Sequence, residues 1–181
     1  NYAQVNNILC PTKEYDTREF ESFVKYANQQ NKDITIPTPG MEFSIGSADC
    51  TILAVNTVES DPNNSSIVMK ITYGNTSFLF SGDAEQEVER VIIEEGYDIS
   101  CTVMKVPHHG SKHNMDNEMI NHFHPKVAFI STEKYGHYLS KAIVNVLKKV
   151  GARVYSTSEQ GSMCHHHNTE THKGYTKSIP L

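Results

Sequence analysis

From residue 76 onward, the apolar pattern of the chain alternates between short strand-like runs and longer helix-like segments. Strands are predicted over residues 76–80, 102–106, 127–130 and 153–155, and helices over residues 84–95, 114–123 and 140–150. The helix that starts at Ser140 is the clearest, because apolar residues recur at helical spacing and Gly151 is a natural cap at its carboxyl end. Alternation of this kind predicts an α/β fold with a layered sheet.

The first half of the chain is predicted to be richer in short strands. A strand is expected over residues 5–10, a helix over 17–30, and strands over 34–36, 41–45 and 50–55. Asp16 and Glu19 have the spacing of a capping box ahead of the helix. The helix also carries apolar residues at helical spacing, which predicts one buried stripe. These residues are Phe20, Phe23, Val24 and Ala27.

Two β-type runs, residues 66–73 and 76–80, are joined by Gly74-Asn75. A two-residue connection of this type is a strong hairpin signal. The polar stretch before them, residues 61–64, is predicted to be a loop.

Composition narrows the class of protein. A length of 181 residues argues for one domain, against roughly 150 residues per domain. The net charge of −5 offers no diffuse basic surface for nonspecific nucleic-acid binding. No run approaches the roughly 20 apolar residues that cross a bilayer. The four cysteines are far apart in strand-like segments, which favours free thiols over a disulfide framework.

Three of the predicted strands are followed by acidic or histidine residues, which are able to bind a metal ion or to take part in catalysis. Asp83 follows the first strand, His108 and His109 follow the second, and His137 follows the third. Ligands of layered α/β folds bind at the carboxyl ends of strands, so these side chains are expected at one rim. One carboxylate with several imidazoles suits zinc or manganese.

Each of these residues also has a structural interpretation. Asp83 precedes a helix and would serve as its N-cap, and the two roles are compatible. The histidines at 108, 109 and 137 would be ordinary loop residues. His122 and His124 lie at a helix end, where an imidazole suits the helix dipole, and are predicted to be structural.

A second metal candidate is the run Cys164-His165-His166-His167. On a strand its side chains alternate between two faces, so at most two of them converge without a partner segment. An exposed polar strand is the favoured interpretation. Residues 169–181 are predicted to be loosely ordered.

Four motifs follow one another along the chain: FLFSGDAE at residues 78–85, VMKVPHHGS at 103–111, YGH at 135–137 and SEQG at 158–161. In this order they resemble the metallo-β-lactamase superfamily, and most closely the branch that contains the hydrolase domain of ComEC-type DNA-uptake proteins and its free-standing relatives. The resemblance implies an α/β (α+β) fold, the carboxyl-terminal portion of a metallo-β-lactamase-like αββα sandwich. It covers about residues 5–161, so we expect a partial hydrolase domain over 1–161 and a polar strand and tail over 162–181.

The resemblance also implies roles for the site residues. Asp83 matches the carboxylate that bridges two metal ions, zinc or manganese, and His109 is expected to be a metal ligand. His108 is expected to face the substrate. His137 would hydrogen-bond a substrate phosphate or a residue that holds the metal ligands, although Tyr138 stands where the motif has proline. Lys105 and Ser111 would support an anion, or serve a structural role.

The superfamily's first ligand cluster, His-x-His-x-Asp-His, has no match in this chain. Two retained ligands fall short of the three that a catalytic zinc generally has. We therefore expect a metal-dependent hydrolase of phosphodiester bonds, in nucleic acid or a phosphorylated envelope component, whose activity in this chain alone is weak or absent. The alternative is a noncatalytic binding or scaffold module. An exposed face in place of the missing half would favour a homodimer, and the compartment stays open.

Overall fold

The fold is built on a seven-stranded mixed sheet, seen in a computed structural model that describes residues 4–55, 62–111, 117–133, 139–168 and 173–179. The strands are β1 (Ile8–Leu9), β2 (Ile34–Thr35), β3 (Glu42–Ile45), β4 (Ala48–Ala54), β5 (Val68–Tyr73), β6 (Thr76–Phe80), β7 (Val103–Lys105), β8 (Val127–Ile130), β9 (Arg153–Ser156), β10 (Ser162–Asn168) and β11 (Lys173–Ile179). The helices are α1 (Arg18–Gln29), α2 (Gln86–Glu94), α3 (Asn117–Phe123), α4 (Lys141–Lys149) and α5 (Thr157–Gln160), with short 3₁₀ turns at Asn63–Ser65 and Pro107–Gly110.

The large sheet has the strand order β3-β4-β5-β6-β7-β8-β9. Strands β3 to β6 form an antiparallel meander, and β6 to β9 are parallel. The predicted hairpin is confirmed, because Tyr73 pairs with Thr76 across the Gly74-Asn75 turn. The α/β prediction is also confirmed.

One face of this sheet carries the main hydrophobic core. Because side chains alternate along a strand, Leu79 of β6, Met104 of β7 and Ile130 of β8 lie on this face, where all three are buried. Helices α2, α3 and α4 bury apolar side chains against them. These are Val88, Ile92, Ile120, Phe123, Ile143 and Leu147. The large sheet and these three helices thus form one β layer and one α layer.

The first 33 described residues form a small β-α-β unit, in which β1 and β2 pair in parallel around α1. Two predictions were wrong here. The helix is capped by the Thr17 side chain, which accepts from the Phe20 amide, and not by Asp16. The apolar stripe is only partly buried, since Ala27 is buried while Phe23 is 37% exposed.

The end of the chain is more regular than its polar composition predicts. Strand β11 pairs along its length with β10, so the prediction of loose order over residues 169–181 was wrong for Lys173–Ile179. The His165 ring packs edge-on against Phe78 and Phe129 of the large sheet, with ring centroids 6.1 and 6.3 Å away. This contact places the β10–β11 hairpin on the sheet face opposite the helical layer.

None of the helices within the described ranges is long and apolar enough to cross a membrane. All four cysteines are free thiols, as predicted. Burial raises the pKa of Cys101 to about 12 and also raises the pKa of Cys50.

Native Cys101 is expected to resist alkylation by iodoacetamide at pH 8, because only about one thiol in 10⁴ is ionised there when the pKa is about 12. Cys10, which is partly exposed, is the internal control and is expected to react at an ordinary rate. Peptide mass spectrometry after timed quenching measures both rates. Equal rates for Cys101 in native and urea-unfolded protein would contradict this prediction.

The Lys70–Asp98 pair joins β5 to the segment between α2 and β7, with Nζ 2.7 Å from Oδ2. Hydrogen bonds from Lys70 and Ser100 lower the pKa of Asp98 from 3.8 to about 2. Because this pKa is depressed in the folded state, its contribution to stability is complete above about pH 4 and is lost as the pH falls toward 2.

Asp98→Asn is therefore expected to lower the free energy of unfolding at pH 6 by under about 1 kcal/mol, since the Asp98 side chain is 74% exposed and the pair is screened. The loss should shrink at pH 3. Urea titrations at both pH values measure it, with Lys70→Met as the matched partner variant. A pH-independent loss would contradict the assignment.

Candidate metal centre

Three loops meet at the carboxyl edge of the parallel strands. Phe80, Lys105 and Phe129 lie in register at the ends of β6, β7 and β8. The loops that leave these strands are tied together by backbone, because the His108 amide donates to the Gly82 carbonyl at 3.2 Å. The loops that follow β6 and β7, which carry Asp83, His108 and His109, therefore lie side by side at one edge of the sheet, as predicted.

Asp83 and His109 come together at this edge. Asp83 Oδ2 lies 3.8 Å from His109 Nε2, and the two side chains are 39% and 43% exposed. Two donors about 2.0–2.2 Å from one zinc ion lie roughly 3.5 Å apart in a tetrahedral site. The observed spacing therefore fits two ligands of a single ion that is open to solvent.

The other nitrogen of His109 is occupied. His109 Nδ1 lies 2.6 Å from the carbonyl oxygen of Ser131, which follows β8. A carbonyl only accepts hydrogen bonds, so Nδ1 carries a proton, and in the neutral form of the ring the lone pair is at Nε2. Metal-binding histidines are commonly held in this way, with the second ring nitrogen donating to a carbonyl or carboxylate.

His108 points to a different partner. Its Nδ1 is buried from solvent and lies 3.4 Å from Glu85 Oε1, with the two side chains 19% and 21% exposed. The rings of His108 and His109 are 6.3 Å apart and nearly perpendicular. Consecutive residues in this loop therefore serve two separate pairs, Asp83–His109 and Glu85–His108.

The histidine loop has an unusual backbone. His108, His109 and Gly110 all have positive φ, at 42°, 57° and 77°. This region costs a residue with a side chain roughly 1–3 kcal/mol, and such strain concentrates at functional sites. A side chain at Gly110 would be strained at this φ and crowded, because an added Cβ would lie 3.0 Å from Leu139 and 3.3 Å from Ile130. The loop is not an ordinary turn.

Asp83 is not the N-cap of the following helix, so that alternative was wrong. Helix α2 begins at Gln86, and its N-cap residue is Glu85. The Asp83 amide instead donates to the Ser66 hydroxyl at 3.1 Å. The Asp83 side chain is therefore not needed to cap the helix.

Three residues that support the site were missed by sequence reasoning: Asn64, Ser66 and Glu85. The side chain of the buried Asn64 accepts a hydrogen bond from the Glu85 amide at 2.9 Å. The Ser66 hydroxyl nearby accepts from the Asp83 amide. The signal for Asn64 and Ser66 was an Asn/Ser-rich segment before a strand, which is the signature of any loop, and Glu85 stood in the FLFSGDAE motif without a role.

Lys105 supplies positive charge next to Asp83. Its Nζ donates to the Gly82 carbonyl at 2.7 Å and lies 3.5 Å from Asp83 Oδ1. Ser111 is buried, and its amide donates to the His108 carbonyl, which is a structural contact within the loop.

His137 lies outside the described residues. Cys164 to His167 lie on β10, as predicted for a strand, and the side chain of His165 packs on the sheet. Across the described ranges, no group of three or more His, Cys, Asp or Glu residues is arranged to hold a metal ion. Asp83 and His109 are the predicted metal ligands that this part of the chain brings together.

Comparisons with known proteins relate the chain to a superfamily. ComE operon protein 3 of Bacillus subtilis is 34% identical over 103 residues, which are 56% of this chain and 13% of that protein. Recombination protein 2 of Haemophilus influenzae is 29% identical over 113 residues, 60% of this chain and 14% of that protein. These relatives support the predicted resemblance to the metallo-β-lactamase superfamily. It spans only a small part of these relatives.

One solved structure shares the overall fold of the chain. A variant of CmlA β-hydroxylase superposes with a TM-score of 0.55 at 11% identity, covering 96% of this chain and 39% of that one. The metallo-β-lactamase fold protein YhfI of Bacillus subtilis superposes with a TM-score of 0.43 at 13% identity, covering 77% and 58%. No protein-family model matches the chain.

Gly82→Ala is expected to destabilise the protein more than Gly74→Ala. Both glycines have similar positive φ, 58° and 55°, but a Cβ at Gly82 would lie 2.7 Å from Ser66 Oγ, while Gly74 has open space. The control therefore carries the backbone strain of about 1 kcal/mol without the clash. Urea titration measures the difference, and equal losses would contradict the close packing of Ser66 on the Asp83 loop.

Proposed function

We propose that this chain carries part of the active site of a metal-dependent hydrolase of phosphodiester bonds. The observation that supports the proposal is the pair Asp83–His109, 3.8 Å apart at the carboxyl edge of the sheet, with the second nitrogen of His109 held by Ser131. The relation to the metallo-β-lactamase superfamily supports a metallo-hydrolase-like fold.

Asp83 and His109 would hold the metal. A carboxylate oxygen and a neutral imidazole nitrogen are donors that zinc and manganese both accept. When bound, such an ion supplies a Lewis acid that stabilises negative charge on a phosphoryl oxygen. Asp83 would also be the residue to hold a second ion, and its Oδ1 lies 3.5 Å from the Lys105 ammonium.

The residues of the chain supply orientation and charge. His109 is kept in its ligand form by the Ser131 carbonyl, so no tautomer change is needed when a ligand arrives. His108 is proposed to face the substrate, and His137 to hydrogen-bond a substrate phosphate. The substrate is proposed to be nucleic acid or a phosphorylated envelope component.

The activity of these 181 residues alone is proposed to be weak, because two ligands fall short of the three typical of catalytic zinc. We also propose that the hydrolase domain extends to about residue 161. The β10–β11 hairpin after it forms a two-stranded sheet of its own, which supports that boundary.

The second candidate function is a noncatalytic binding or scaffold module. Lys105 favours it, because its ammonium already balances the Asp83 carboxylate without a metal ion. In this case the loops at the carboxyl edge would retain their geometry with no ion bound.

Titration with Mn²⁺ or Zn²⁺, followed by hydrolysis of bis(p-nitrophenyl) phosphate at high protein concentration, tests the proposal. Wild-type protein is expected to bind metal weakly and to show slow, metal-stimulated turnover. Asp83→Asn and His109→Ala are expected to lower both metal affinity and turnover by at least about tenfold, because each removes a ligand. Asp49→Asn, on the exposed side of β4, is the matched control and should change neither.

Metal-stimulated turnover that survives both Asp83→Asn and His109→Ala would overturn the site assignment. Absence of both metal binding and turnover in the wild-type protein would favour the scaffold module for these 181 residues.

A further inference from the structure

Glu85 and His108 form a second pair beside the candidate metal centre. Their approach is 3.4 Å, between Glu85 Oε1 and His108 Nδ1, at a position where Nδ1 is buried from solvent. This distance exceeds that of a good hydrogen bond, and catalytic hydrogen bonds are often long before substrate is bound.

The position of Glu85 is determined by its surroundings. Its amide donates to the buried side chain of Asn64 at 2.9 Å, and its carbonyl accepts from the Val88 amide at 3.1 Å. Glu85 therefore has both backbone groups bonded, one to the 3₁₀ turn and one to the first turn of α2. Its carboxylate starts from a fixed backbone.

The backbone of His108 is also fixed. Its amide donates to the Gly82 carbonyl and its carbonyl accepts from the Ser111 amide, at 3.2 and 3.0 Å. With φ 42° and ψ 47°, the residue lies in the left-handed region, which is uncommon for any residue other than glycine. Both residues of the Glu85–His108 pair therefore have a backbone that is held by hydrogen bonds on each side.

We propose that Glu85 is a positioning residue that sets the tautomer and orientation of His108. A carboxylate has only acceptor atoms, so the favourable arrangement places the ring proton on Nδ1, facing Glu85. In that tautomer Nε2 carries the lone pair of the ring, and the nitrogen acts as a hydrogen-bond acceptor. Any role of His108 toward a substrate rests on the proposed hydrolase function. The effect of Glu85 on the His108 tautomer does not.

Two-dimensional ¹⁵N–¹H NMR of the histidine rings tests this proposal on metal-free protein at one fixed pH. Wild-type His108 is expected to show the Nδ1–H tautomer. Glu85→Ala is expected to convert it to a mixture, while Glu85→Gln, whose amide oxygen still accepts a hydrogen bond, is expected to retain it. Glu87→Ala, at an exposed position in the first turn of the same helix, is the control.

Kinetics supply a second measurement where turnover is detectable. Glu85→Ala is expected to lower kcat at least about fivefold with little change in KM, and Glu85→Gln to recover at least half of the wild-type kcat. The proposal is overturned if Glu85→Ala leaves the His108 tautomer unchanged, or if Glu87→Ala changes it equally. A changed tautomer in a protein without turnover would support the positioning role and count against the hydrolase function alone.

Discussion

The candidate site depends on the parallel pairing of β6, β7 and β8. Asp83 and His109 are 26 positions apart in the chain, and they meet because Phe80 and Lys105 end their strands in register. The pairing continues past the strands, since the Val106 amide donates to the Phe129 carbonyl and the His108 amide donates to the Gly82 carbonyl. The site geometry is therefore an extension of the sheet, whose backbone hydrogen bonds hold the loops rigidly.

Support from outside the parallel strands comes mainly from one polar turn. Asn64 and Ser66 accept from the amides of Glu85 and Asp83, so two side chains of one turn hold two successive elements of the site. These bonds satisfy amides at a helix start, where the backbone lacks its own partners. The same bonds leave the carboxylates of Asp83 and Glu85 available for His109 and His108.

Much of this arrangement could be predicted from the sequence, and the rest has a common physical cause. The strands β5, β6 and β8 follow from apolar runs and the Gly74-Asn75 turn, and Asp83 and His109 follow from their positions after buried strands. Asn64, Ser66 and Glu85 could not be found, because their partners lie 17 to 23 positions away and are set by tertiary packing. The α1 stripe was misjudged for the same reason.

The Lys105 ammonium would compete with a metal ion for the Asp83 carboxylate. A unit charge about 4 Å from a carboxylate interacts with it by about 4 kcal/mol at an effective dielectric constant of 20, and by less where water screens it, as at the partly exposed Asp83. A cation that binds Oδ2 would share the carboxylate with this ammonium and be repelled by it. Any affinity for a metal ion at this edge would therefore be lowered by the Lys105 ammonium.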